Sequence, residues 1–91
     1  MYNHQEEEIE LLEEVATDLD KDLVVFNDEF NTFEHVIETL IKVCRHSPEQ
    51  AEQCTWIVHY RGKCAVKKGS EDTLIPMRNA ICDKGISAEV V

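Results

Sequence analysis

Hydrophobic positions recur with two different periods along residues 23–91, and this alternation predicts a mixture of strands and helices. Residues 23–26 form a short continuous apolar run that contains two valines, which is typical of a buried strand. A stripe at helical spacing follows and predicts a helix over residues 32–45. Its members are Phe33, Val36, Ile37, Leu40, Ile41 and Cys44. We expect Asn31 to be the N-cap of this helix, with Glu34 completing a capping box.

Capping residues, prolines and glycines mark the boundaries of the remaining elements. Ser47 followed by Pro48 predicts the start of a second helix, which should end near Gly62. A short strand is expected at residues 64–66, and a third helix near residue 72 would place Pro76 in its first turn. Residues 86–91 then suggest a last strand. The order β-α-α-β-α-β predicts an α+β domain, in which a small three-stranded antiparallel sheet packs against three helices.

Acidic residues are concentrated before the first strand. Residues 1–22 hold nine acidic side chains and one lysine, whereas residues 23–91 hold ten acidic and eight basic ones. We therefore predict a mobile, acidic N-terminal extension over 1–22 and a nearly neutral core domain over 23–91. The extension is either a solvating tail or an arm that engages a partner.

Composition excludes several functional classes. A formal net charge of −10 argues against nucleic acid as a partner, because such binding depends on neutralising phosphates. No apolar run approaches the roughly 18 residues of a membrane span, so we expect no membrane association. The chain opens without a signal peptide, and its four cysteines include no C-x-x-C pair. These features predict reduced thiols in a cytoplasmic protein.

The residues that could carry catalysis or bind a metal do not form a recognisable pattern. The spacing of Cys44, His46, Cys54 and His59 matches no closed zinc site. No serine or cysteine lies in a nucleophile elbow or beside a paired base. We therefore predict a protein that is not an enzyme, with no catalytic residue, no metal and no cofactor.

A candidate recognition site lies instead at the polar turn between the first strand and the first helix. Asn27 and Asp28 follow the first strand directly, and Phe33 lies one turn into the helix that comes next. Polar groups held beside an apolar wall are suited to recognition, although an Asn-Asp pair is also an ordinary turn.

This corner carries a family resemblance. The segment Asn-Asp-Glu-Phe-Asn-Thr-Phe-Glu at 27–34 and the segment Val-His-Tyr-Arg-Gly-Lys at 58–63 together resemble the ClpS adaptor family, in which a strand-end Asn-Asp is followed later by His-Tyr-x-Gly-Lys. The likeness spans about residues 23–91. It implies a cytoplasmic adaptor of the bacterial N-degron pathway, which binds substrate proteins with bulky hydrophobic N-terminal residues and delivers them to a Clp-family AAA+ unfoldase and its peptidase.

The resemblance also implies roles for individual residues. Asn27, Asp28 and His59 would hold the α-amino group of the substrate, since an ammonium group needs acceptors and an anion. The pocket for the first side chain would be formed by Asn31, Phe33, Val36, Thr55, Val58 and Ala88.

Three of these positions depart from the common family pattern. Phe33 stands where a gating Met is common, while Thr55 and Ala88 stand where larger apolar residues are common. The smaller pair would make room for a large aromatic side chain. The region 64–84 is shorter than usual, so the residues that dock the unfoldase cannot be transferred. The alternative is a general protein-interaction module that does not require a free N-terminus.

Overall fold

The computed structural model describes residues 21–91, and its elements follow the predicted order. They are β1 (Lys21–Phe26), α1 (Phe33–Cys44), α2 (Pro48–Arg61), β2 (Lys63–Gly69), α3 (Glu71–Asp83) and β3 (Ala88–Val90). Most of the predicted extension, residues 1–20, lies outside the described part of the chain. The predicted α+β class is confirmed, with three helices and a three-stranded antiparallel sheet.

The first strand is the centre of the sheet. The strand order is β2-β1-β3, and both neighbours run antiparallel to β1. Leu23 and Val25 are completely buried, while the intervening Val24 is only half-buried. The helices therefore cover one face of β1. The other face is also partly shielded, which explains why apolar residues occupy consecutive positions in this strand.

The core lies between this sheet and the three helices. Its largest fully buried apolar side chains come from β1, α1 and α3, and include Leu23, Leu40, Leu74 and Ile81. α1 packs against α2, α2 packs against β2, and α3 packs against β3. Within residues 21–91, no helix has the length and apolar character needed to cross a membrane.

The boundaries of α2 agree with the sequence signals. Ser47 caps its N-terminus, since the side chain accepts a hydrogen bond from the Gln50 N–H, and Pro48 is the first helical residue. Gly62 ends the helix with φ of 89°, a left-handed conformation that glycine adopts without steric cost.

The predicted N-cap of α1 is wrong. Thr32, not Asn31, caps this helix, and its hydroxyl oxygen accepts a hydrogen bond of 3.1 Å from the His35 N–H. The Asn31 amide is instead engaged by Asp28 and by the carbonyl of Gly85, far along the chain. A tertiary contact therefore moves the cap by one residue.

α3 begins at Glu71, one residue before the predicted position, but the predicted place of Pro76 is wrong and the strand limits differ. Ser70 is the N-cap, so Pro76 lies in the second turn of α3 and not in the first. The helix continues through Pro76, and Leu74 and Ile81 on either side of it are completely buried. β1 begins two residues before the predicted strand, β2 extends over Lys63–Gly69, and β3 is limited to Ala88–Val90.

Candidate functional site

A cavity of about 280 Å³ opens where β1 ends and where α1 and α2 face each other. Its lining residues are Phe26, Asn27, Asp28, Glu29, Asn31, Phe33, Val36, Thr55, Val58, His59 and Ile86. All the site residues named from the sequence are in this set except Ala88. The cavity therefore gathers two separated motifs, the strand-end Asn-Asp and the helical Val-His, around one space.

Backbone hydrogen bonds fix the corner that carries Asn27. The N–H of Asn27 donates to the carbonyl of Gly62 at 2.8 Å, and the N–H of Phe26 donates to the carbonyl of Ser87 at 2.9 Å. The end of β1 is thus held between the C-terminal end of α2 and the segment before β3. Because Gly62 is three residues beyond His59, this arrangement brings Asn27 and His59 to the same cavity.

Asp28 organises the turn between β1 and α1. Its Oδ1 accepts hydrogen bonds from the N–H groups of Phe30 and Asn31, each at 2.8 Å. Its Oδ2 accepts a third from Nδ2 of Asn31 at 2.6 Å. A carboxylate has about four acceptor positions, so these three bonds leave room for another donor. Asp28 therefore supports the turn and can still accept a hydrogen bond at the mouth of the cavity.

The same bonds keep Asp28 ionised. Burial alone would raise the pKa of Asp28, but the bonds from Asn31 and from the Phe30 N–H, together with the charge of His35, hold that pKa below its ordinary value. The lining includes a second carboxylate, Glu29, and no lysine or arginine. The cavity mouth consequently favours a cation.

Two side chains tie the start of α1 to the end of α3. Asn31 Nδ2 donates to the carbonyl of Gly85 at 2.9 Å, and His35 Nε2 donates to the carbonyl of Lys84 at 2.8 Å. Neither partner is close in sequence. These bonds fix the turn at Lys84 and Gly85, and Ile86, the residue that follows this turn, lines the cavity.

The inner wall of the cavity is apolar. Val36, Val58 and Ile86 are buried, and Thr55 is only 2% exposed. The Thr55 hydroxyl donates to the carbonyl of Ala51 at 2.8 Å, so it brings no unpaired polar group to the wall. A space with this lining suits a hydrophobic side chain.

Ile86 was missed by the sequence analysis, and Ala88 occupies a different place from the one expected. Ala88 pairs with the inward-facing Val25 in the sheet and is 3% exposed, so it belongs to the core and does not border the cavity. Ile86 lies two positions earlier, before β3 begins. The sequence did contain a signal for this position. Ile86 is a large apolar residue directly after the turn at Gly85, and such a residue is expected to be buried.

Aromatic rings form one rim of the cavity. The Phe33 ring meets the His59 ring edge-on at a centroid distance of 5.2 Å, and it meets the Trp56 ring edge-on at 4.6 Å. Trp56 in turn stacks on Tyr60. Phe33 therefore stands between the cavity and an aromatic surface on α2 that the sequence analysis did not identify.

Comparison with known proteins assigns this arrangement to a family. The family model described as "ATP-dependent Clp protease adaptor protein ClpS" matches residues 17–88. Among solved structures, Agrobacterium tumefaciens ClpS2 bound to L-phenylalaninamide is similar, with a TM-score of 0.77 and 18% sequence identity. The alignment covers 81% of this chain and 96% of that one, and at this identity it establishes the fold. A search of curated proteins found no match. Because the family model spans most of the sequence, this chain belongs to the ClpS family of Clp protease adaptors.

Proposed function

We propose that this protein binds the N-terminal residue of substrate proteins when that residue is bulky and hydrophobic, and delivers those substrates to a Clp-family AAA+ unfoldase. The observation that carries the proposal is the cavity itself, which joins an apolar wall to a polar, acidic mouth. A protein N-terminus carries two groups that complement these features: an apolar side chain, which fits the wall, and an ammonium group, which fits the acidic mouth.

The mouth supplies the groups that an ammonium requires. Three N–H donors and a positive charge need acceptors and an anion. Asp28 provides an ionised carboxylate, Asn27 provides an amide oxygen, and His59 provides a ring nitrogen. The last turn of α2, which contains His59, adds the negative end of the helix dipole. Internal peptide bonds lack this charge, so a free N-terminus is the preferred ligand.

The size of the cavity supports a single side chain as the ligand. Its volume of about 280 Å³ is at the lower limit for small-molecule sites, which span about 300–1,000 Å³. The similar Agrobacterium ClpS2 was captured with L-phenylalaninamide, an amino acid amide with an aromatic side chain and a free amino group. In this chain the small side chain of Thr55 leaves room at the cavity wall for a large planar side chain.

Short peptides that differ only in their first residue test the proposal, with affinities measured by fluorescence anisotropy. Burial of a large apolar side chain contributes about 1.5–3 kcal/mol, so peptides that begin with Phe, Trp, Tyr or Leu should bind about ten- to a hundredfold more tightly than those that begin with Gly or Ser. Acetylation of the N-terminus should weaken binding by about a hundredfold, since it removes the charge facing Asp28.

Substitutions localise the effect. Asn27→Ala and His59→Ala should each reduce affinity for the free peptide, whereas Asn79→Ala on α3 removes an amide outside the cavity and should change nothing. Equal binding of free and acetylated peptides would leave a general protein-interaction module as the better description.

Delivery is a separate part of the proposal. We infer that residues 1–20, the part of the predicted acidic extension 1–22 that precedes β1, take part in transfer of the substrate to the unfoldase. Removal of residues 1–20, which precede β1, should preserve peptide affinity but abolish stimulated degradation of a substrate with an N-terminal Phe by a reconstituted Clp protease. Degradation at the full rate would reduce the segment to a solvating tail.

A further inference from the structure

A second cavity, of about 540 Å³, lies between the sheet and the C-terminal half of α2. Its apolar lining comes from Val24 and Phe26 on β1, Ile57 on α2, Ala65 on β2, and Val91 after β3. Phe26 is the one residue that it shares with the cavity of the candidate site. We call this second cavity the sheet groove.

The sheet groove exposes several apolar side chains together. Ile57 is 41% exposed and Val91 is 60% exposed. Val24 is half-buried and points to the side of β1 opposite the fully buried Leu23 and Val25. Apolar side chains scattered singly over a surface need no explanation, whereas a group of them in one depression indicates a binding face.

The charged residues of the sheet groove are all basic. Arg61 and Lys63 belong to its lining, which contains no aspartate or glutamate. Both side chains are exposed, and within residues 21–91 neither forms an ion pair. A segment that fits this groove therefore needs apolar side chains with carboxylates next to them.

The chain carries such a segment before β1. Ile9, Leu12 and Val15 are spaced three residues apart, which favours one apolar side if the segment is helical. Six glutamates lie between residues 6 and 14, so carboxylates surround this apolar spacing. The segment 9–15 thus has the composition that the sheet groove requires.

The point of attachment brings this segment to the sheet groove. β1 begins at Lys21, and the next residue, Asp22, exchanges two backbone hydrogen bonds of 2.9 Å with Val91 at the edge of the groove. From Lys21 to Phe26 the strand advances about 17 Å, whereas the six residues from Val15 to Lys21 can span about 20 Å. The segment can therefore fold back along the whole groove.

We propose that residues 9–15 dock in the sheet groove of the same molecule, with their apolar side chains against Val24, Ile57 and Val91 and their glutamates facing Arg61 and Lys63. The effective concentration of a segment attached this close to its site is high, so a small contact is sufficient to hold it. The acidic extension is then an arm stored on the core domain and not a solvating tail.

Limited proteolysis of the full chain tests the docking, because cleavage of a segment follows the fraction of molecules in which it is open. A protease specific for glutamate is used, and mass spectrometry follows cleavage after Glu10, Glu13 and Glu14. Ile57→Ser removes an apolar contact and Arg61→Glu reverses a charge. Each should raise the cleavage rate about two- to fivefold.

Two substitutions outside the sheet groove are matched controls. Ile75→Ser on α3 changes an isoleucine of similar exposure, 45% against 41%, and Lys42→Glu on α1 reverses an exposed charge. Both variants should be cleaved at the wild-type rate, and thermal melts by circular dichroism establish that all the variants are folded. Wild-type rates for both Ile57→Ser and Arg61→Glu would overturn the docking, as would an equal acceleration in the controls.

Amide NMR spectra of the isotope-labelled full chain give a reciprocal measurement that leaves the groove itself unchanged. Ile9→Ser combined with Leu12→Ser should shift the signals of Val24 and Ile57, whereas Tyr2→Ser, which lies outside the apolar spacing, should not. Groove signals that are identical in the double variant and the wild type would overturn the proposal.

The alternative occupants give different results. Protection from cleavage that increases with protein concentration would assign the groove to the extension of a second copy, and would overturn docking within one molecule. None of these measurements uses a substrate peptide or an unfoldase. Their outcome is therefore independent of whether the cavity at the end of β1 binds a protein N-terminus.

Discussion

Replacement of Asp28 by alanine should destabilise the fold as well as weaken ligand binding. A turn carboxylate ordinarily contributes little to stability, but Asp28 accepts three hydrogen bonds within the turn from Phe30 and Asn31. The arrangement resembles a helix N-cap, in which substitution by alanine costs about 0.5–2 kcal/mol. Because the carboxylate is partly exposed, we place the loss at about 1–2 kcal/mol and not at the higher values of buried charged bonds.

Thermal unfolding followed by circular dichroism measures this effect. For a domain of this size, 1–2 kcal/mol corresponds to a fall in Tm of about 4–16 °C. Asp28→Asn retains one acceptor oxygen and should lose about half as much. A Tm of Asp28→Ala equal to that of wild type at pH 7 would refute the structural role of the carboxylate, and any loss of peptide binding would then be assigned to the ammonium contact alone.

The pH dependence of the same difference gives a second check. Because the folded-state pKa of Asp28 is lowered, its stabilising contribution is present above the unfolded pKa and is lost as pH falls through the folded pKa. The Tm difference between wild type and Asp28→Ala should therefore be constant above about pH 5 and shrink below about pH 4. A difference that grows on acidification would contradict this sign.

Three further outcomes follow from the core and the cavity. Leu74→Ala should lower the free energy of unfolding by about 2–5 kcal/mol, whereas its exposed neighbour Ile75→Ala should change it by about 0.5 kcal/mol at most; equal losses in urea denaturation would contradict the burial of Leu74. Thr55→Leu should weaken binding of a peptide with N-terminal Trp more than one with N-terminal Leu, and an unchanged anisotropy ratio would place Thr55 away from the ligand. Burial raises the pKa of the Cys44 thiol to about 11, although the charge of Lys67 opposes this shift. Iodoacetamide at pH 7.5 should therefore modify Cys44 far more slowly in the native protein than in the denatured protein, and mass spectrometry measures the two rates.

Local sequence was sufficient to identify most of the elements and much of the candidate cavity. The apolar stripe of α1 and the pair Ser47 and Gly62 around α2 specify those helices, because helical periodicity and end-capping act over a few residues. The two polar motifs at 27–34 and 58–63 suggested a family resemblance, and the residues implied by that resemblance line the cavity, apart from Ala88. Their joint presence carried the family resemblance, which the match over residues 17–88 confirms.

Tertiary structure decided the features that depend on partners distant in sequence. The cap of α1 moved to Thr32 because Asn31 is held by Asp28 and by the carbonyl of Gly85. Ile86, and not Ala88, reached the cavity because the pairing of Ala88 with Val25 directs it into the core. Helical spacing alone could place Trp56 and Tyr60 on one face, but only the packing of α1 on α2 brings Phe33 against Trp56. Position in a cavity depends on how elements pack, and the periodicity of a single element does not contain that information.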